Sequence, residues 1–169
     1  DLATLEASMV ALAAANPTLA RVVDMTVEFG APTTFEGRTL KAMVISDNVT
    51  TSEDEPTMLV VSCHHCREIV TPVIAMKAIT NLLSLYGSDP QVTAAVDSHE
   101  IWIAPVWNPD GYNEVFTGDN LWRKNRRVFP SAIGVDLNRN YPFGWTAACS
   151  GSSSASSNTY KGPSAASEP

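Results

Sequence analysis

The sequence predicts an α/β fold, a sheet with helices on both faces. Three observations carry this. Thr57–Ser62 and Ile101–Val106 are short, almost wholly apolar runs, the pattern of strands covered on both sides. Between them lie two stretches with helical signals, so a helical crossover joins the strands. A further helical period stands near the N-terminus. A length of 169 residues favours one domain, 1–169, and a hydrophobic content of 44% is that of a globular protein.

The elements follow in order. Leu2–Ala15 reads as a helix, with Leu5, Met9 and Leu12 on one face and Asn16-Pro17 ending it. Val23, Met25, Val27 and Phe29 alternate with polar residues, which predicts a half-buried strand. Turns at Gly30–Pro32 and Glu36-Gly37 lead to a second strand, Leu40–Ile45, and so to a hairpin. Asp47–Pro56 is an acidic surface loop. The apolar Thr57–Ser62 is expected at the centre of the sheet. Pro72 suits a first helical turn, and Ile69, Val73, Met76, Leu83 and Tyr86 form one apolar face before Gly87. Asp89-Pro90 opens a short helix to about Val96, and Ile101–Val106 is the next strand. Asn108-Pro109-Asp110-Gly111 signals a turn. Thr146–Ser157, mostly Ser, Ala and Gly, predicts a flexible surface loop.

Charge and composition exclude some functions. A net charge of -7 disfavours nucleic acid as a partner, since phosphate binding needs a basic surface. No apolar run reaches the ~20 residues that span a bilayer, so no membrane is expected. The chain starts at Asp1 without a signal peptide, as a processed form would.

The chemistry concentrates in Ser62–Glu68, S-C-H-H-C-R-E, at the end of an apolar strand. His65 and Glu68, three residues apart, can offer an imidazole nitrogen and a carboxylate to one zinc ion; a catalytic zinc takes three protein ligands and keeps one position for water. Read as structure alone, the pair is a satisfied histidine beside a surface glutamate. Cys63 and Cys66 admit a redox C-x-x-C, a structural zinc site or packed thiols; four consecutive residues cannot wrap one ion, and packed thiols are the favoured reading. His99 is expected at the surface, and His64 on the opposite side of an extended chain from His65.

Two polar segments follow. Arg123, Lys124, Arg126 and Arg127 form a basic knot, either a solvated face or the source of a guanidinium that stabilises an oxyanion beside the metal. Asp136, Asn138 and Arg139 suit an Asx turn with a surface ion pair. Alternatively, Arg139 grips a carboxylate with two parallel hydrogen bonds, Asn138 adds another, and Asp136 holds the far ring nitrogen of His65.

Taken together, Phe35–Arg38, His65–Glu68, Asn108–Gly111, Leu121–Arg126, Val135–Asn140 and Thr159-Tyr160 resemble the zinc metallocarboxypeptidases of the carboxypeptidase A, B and T group. The resemblance implies a mixed, mostly parallel sheet between helices, a Zn2+ cofactor, and release of C-terminal residues from peptide or protein substrates with a free C-terminus. It implies His65 and Glu68 as metal ligands and Asp136 as the partner of His65. It implies Arg126 as the catalytic arginine, Asn138 and Arg139 as the carboxylate-binding pair, and Arg67 as a secondary substrate-binding residue. It implies a secreted or periplasmic hydrolase. The chain departs from the family at Ala132 and Ser156, where vertebrate digestive members carry a disulfide, and at Cys66, where a small residue is usual. The third zinc ligand and the general-base glutamate of the family fall beyond Pro169. The expectation is an N-terminal portion of the domain, incomplete at the C-terminus and inactive alone, completed by a second polypeptide or a missing segment. The rival readings are a zinc-dependent deacylase of amino-acid conjugates and a non-catalytic carboxypeptidase-like binding module.

Overall fold

A computed structural model describes all 169 residues. Helix α1 (Leu2–Ala15) is capped by Asp1, whose side chain accepts from the Thr4 amide at 2.9 Å. Strand β1 (Ala20–Asp24) pairs antiparallel with β2 (Lys41–Ile45). Strand β4 (Glu100–Ala104) lies on the other side of β2, antiparallel to it, and β3 (Thr57–Val61) pairs parallel with β4. The sheet is therefore mixed, in the order β1-β2-β4-β3. Among these four strands the parallel pairing is one of three, a smaller share than the resemblance implies. The crossover between the two parallel strands carries α3 (Val70–Leu85) and α4 (Pro90–Val96).

Strand alternation divides the core. Met43, Ile45, Ile101 and Ile103 face α1, α3 and α4, where they meet Met9, Ala75, Ile79, Leu83 and Val96. Ala42, Val44, Trp102 and Ala104 face the other way, against Val49 and the edge of α2 (Met25–Glu28) at Met25.

Four expectations change. Met25–Phe29 does not continue the first strand. The Asp24 carboxylate accepts from the amides of Thr26 and Val27 at 3.1 and 3.2 Å, so the chain turns helical at once. Thr57–Val61 is an edge strand rather than a central one: Met58 and Leu59 are each 53% exposed. The α3 face is shifted as well. Pro72, Ala75, Ile79 and Leu83 are buried, whereas Ile69 and Val73 lie exposed. Asn108–Gly111 opens a helix, α5 (Pro109–Thr117), with Asn108 as cap and Pro109 in the first turn.

Beyond α5 the chain is mostly irregular. A short hairpin, β5 (Val128–Phe129) and β6 (Ala132–Ile133), precedes a 3-10 turn at Leu137–Arg139. The Ser-rich segment after it is tied down by hydrogen bonds from Lys124 and Lys161, a constraint that composition did not reveal.

Candidate active site

The parallel pair β3 and β4 ends at one place. Past both strands the ladder continues, with the Ser62 amide donating to the Ala104 carbonyl at 3.1 Å and Trp107 N–H to the Ser62 carbonyl at 2.9 Å. Loops 62–69 and 105–108 therefore leave the sheet side by side. The crevice beyond the carboxyl ends of strands is where open α/β sheets place their ligands.

Cys63 makes the sharp bend, with a φ of 58°, in the left-handed region that side chains other than glycine rarely adopt. The next turn is closed by Glu68 N–H donating to the His65 carbonyl at 3.0 Å. Cys66 anchors the loop from beneath. Its amide donates to the Arg123 carbonyl at 3.3 Å, and its sulfur lies 3.7 Å from the carbonyls of Asn108 and Lys124. Gly111 leaves room for that sulfur, since a Cβ there would collide with it. Burial pushes the Cys66 thiol far up, and its hydrogen bond with the Cys63 thiol adds to the effect. Both cysteines are buried. They are packed in the interior, away from the exposed setting a redox pair needs.

His65 is the hub. Its Nδ1 lies 2.9 Å from Glu68 Oε1 and its Nε2 lies 3.0 Å from Asp136 Oδ1. Asp136 is fully buried. It reaches this point because Asn125 and Tyr160 hold its strand-like approach: Val135 N–H donates to Asn125 Oδ1 at 2.7 Å and Asp136 N–H to the Tyr160 carbonyl at 2.8 Å. Asp136 Oδ1 also accepts from the Asn138 amide at 3.1 Å, which caps the 3-10 turn and fixes where Asn138 and Arg139 emerge. The other oxygen, Oδ2, accepts from Arg123 Nε and Nη2 at 3.2 and 2.9 Å.

This donor set suits a cation. A neutral imidazole has one N–H and cannot satisfy two carboxylates at once. With that proton on Nε2 toward Asp136, the Nδ1 lone pair faces a carboxylate oxygen, an arrangement that a metal ion between them resolves. Tetrahedral zinc would hold two such donors about 3.3 Å apart, so the observed pair needs to open by only a few tenths of an ångström. No other His, Cys, Asp or Glu joins His65 Nδ1 and Glu68 within ligating reach; the one grouping of three such side chains is Asp47, Glu53 and Glu55 in the acidic loop. His99 stands before Glu100, at the opposite end of β4 from this crevice.

The remaining site residues are placed as follows. Arg67 is exposed and makes no hydrogen bond within the chain, and the Asn138 side chain is likewise exposed and free. The half-buried Arg139 makes a single hydrogen bond, from Nη1 to the Asn138 carbonyl at 2.9 Å. Arg126 is engaged by three neighbours. Its Nε donates to Glu36 at 3.0 Å, its Nη2 stands 3.5 Å from Glu114, and its guanidinium covers the Trp122 ring at 4.6 Å. The guanidinium in contact with the His65–Asp136 pair is that of Arg123, which the sequence reading left in the basic knot without a role of its own. His64 projects away from the metal pair, to Tyr141 Oη at 2.7 Å, and burial and the neighbouring His65 hold it below the ordinary imidazole range.

Comparisons with known proteins give the family and the fold. The sequence profile described as zinc carboxypeptidase matches residues 5–169. A metallocarboxypeptidase A of Trichophyton tonsurans is 39% identical over 129 residues, 75% of this chain and 30% of that protein. An inactive metallocarboxypeptidase of Saccharomyces cerevisiae is also 39% identical, over 124 residues, 69% of this chain and 29% of that protein. The solved carboxypeptidase A of Helicoverpa armigera superposes with a TM-score of 0.82 at 36% identity, covering 98% of this chain and 38% of that one. The chain thus spans about a third of the length of its relatives.

Proposed function

Because the chain belongs to the zinc carboxypeptidase family, we propose that it carries half of a zinc-dependent exopeptidase site, which releases C-terminal residues from peptides. The observation that carries the reading is His65 set between Glu68 and Asp136, with Asn138 and Arg139 one turn further on. In this reading His65 Nδ1 and Glu68 hold the ion. Bound there, zinc supplies Lewis-acid activation of water and of the scissile carbonyl. Asp136 keeps the His65 proton on Nε2 and so keeps Nδ1 free as a ligand. Arg126, held beside Glu36 and Glu114, is the cation assigned to stabilise charge developing on the carbonyl oxygen; Arg123, committed through two hydrogen bonds to buried Asp136, braces that carboxylate behind His65. Asn138 and Arg139 take the substrate's terminal carboxylate, which is what confines cleavage to the last residue. Arg67 adds a second contact to the substrate.

The third ligand and the general base are assigned to residues other than these 169, in a further segment or a second polypeptide. The exposed apolar residues Met58, Leu59, Val60, Val70, Val73 and Ile74 on β3 and α3 support such a covering segment. Secretion or periplasmic export belongs to the same reading and is checked by cell fractionation. The test of function is release of the last residue from a peptide by the full-length protein: release must need zinc and must fail on the C-terminally amidated peptide. A non-catalytic binding module is the second reading, favoured by the yeast relative described as inactive. Zinc and peptide binding without hydrolysis would establish it.

A further inference from the structure

Residues 150–155 form no helix or strand, yet two ammonium groups fix them. Lys161 Nζ donates to Ser150 Oγ at 2.9 Å and to the Trp145 carbonyl at 3.0 Å. At the other end Lys124 Nζ donates to the Ala155 carbonyl at 2.8 Å. Lys124 is only 6% exposed, and this is the single hydrogen bond of its ammonium group. Its stem passes Gly134, where a Cβ would lie 2.7 Å from Lys124 Cβ. A buried ammonium is costly unless something needs its donor, and an apolar side chain of the same length would fill the space without that cost. Burial indeed pushes the Lys124 pKa down, with Asp136 opposing.

What the donor holds becomes clear between the two anchors. Gly151, at φ +123°, lies against the stem of Arg139: a Cβ there would meet Arg139 Cγ and Cδ at 3.3 Å and the Thr159 carbonyl at 2.7 Å. Ser152 is paired on both sides, its amide to the Thr159 carbonyl at 2.8 Å and its carbonyl to the Lys161 amide at 3.0 Å. Arg139 itself has a long stem and one hydrogen bond at its head.

We infer that Lys124 and Gly151 are positioning residues for Arg139: Lys124 clamps the 150–155 loop from a distance, and Gly151 lets the clamped backbone lie directly on the arginine stem. The guanidinium is then seated before a carboxylate arrives, so that less side-chain freedom is lost on binding. The inference rests on the reading of Arg139 as the carboxylate ligand.

The test compares Lys124→Met and Gly151→Ala with the wild type in the full-length, zinc-loaded protein, on a peptide with a free C-terminus and on its amide. Both variants should raise KM for the free peptide about tenfold while kcat changes less than about twofold. The preference for free peptide over amide should narrow. Hydrogen exchange supplies a readout independent of activity: the amides of Ser152 and Lys161 should lose protection in Lys124→Met while the sheet amides keep theirs. Unchanged KM in both variants, or equal losses on free and amidated peptide, overturns the inference. If the wild type ignores the carboxylate, the proposed function fails. The clamp is then judged by exchange alone, and retained protection at Ser152 and Lys161 overturns it.

Discussion

Strands β2 and β3 flank the same strand, β4, and are built from similar residues: Lys-Ala-Met-Val-Ile in one, Thr-Met-Leu-Val-Val in the other. Their surroundings are opposite. Ala42 through Ile45 are completely buried, between three helices on one face and α2 with the acidic loop on the other. Met58, Leu59 and Val60 stand open, as do Val70, Val73 and Ile74 of α3. Apolar composition marks a strand that is meant to be covered; it does not say by what. The buried side of the sheet is held by its own chain, whereas the β3 side is open.

The largest expected effect sharpens this contrast in stability. Ile79→Ala, in the closed core, should cost about 2–5 kcal/mol in chemical denaturation of the 169-residue chain. Leu59→Ala in the same chain should cost less than about 0.5 kcal/mol, since little burial is lost. In the full-length protein Leu59→Ala should approach the cost at Ile79. An equal, small cost in both contexts would mean that β3 is never covered.

The same distinction between held and free groups runs through the site. Arg126→Ala should lower kcat by about 10²–10³, as removal of a charge-stabilising donor does, while Arg123→Ala, which frees the buried Asp136 carboxylate, should act mainly on stability and zinc affinity. A larger loss of kcat in Arg123→Ala than in Arg126→Ala in peptide hydrolysis would move the catalytic role to Arg123. Asp136→Asn should weaken zinc binding by about 10–100-fold in a chelator competition, through loss of the partner that orients His65.

The smallest effect concerns pH. The fold holds His64 below its ordinary value of 6.5, chiefly by burial, so the unfolded chain binds more protons in the window between that lowered value and 6.5. Stability is fully present above 6.5 and is lost as pH falls through the lowered value. His64→Gln should flatten that acid limb of a stability-against-pH curve.

Local signals conveyed the proximity of neighbours in sequence well and long-range contacts less well. His65 and Glu68 are three residues apart, so their approach to 2.9 Å needed no tertiary knowledge. Asp136 reached His65 from 71 residues away, and its contact was legible only as the role a metal-bound histidine requires. Arg123 and Arg126 stand on one irregular segment, where nothing in the spacing says which one faces inward. Packing sets their partners: Glu36 and Glu114 pair with Arg126, and buried Asp136 pairs with Arg123. Met25–Phe29 alternated like a strand, but the Asp24 cap outweighed the alternation. The Ser-rich loop read as flexible because its restraints, from Lys124 and Lys161, are contributed by other segments.

The central claim is that His65 and Glu68 hold a zinc ion that acts on a peptide's last bond. The most direct measurement is release of the C-terminal residue from a free peptide by the full-length protein, wild type beside Glu68→Gln, before and after chelation. The account predicts release by the wild type, its loss on chelation and return with zinc, and none from the variant. Release that survives chelation, or that Glu68→Gln leaves intact, would contradict it.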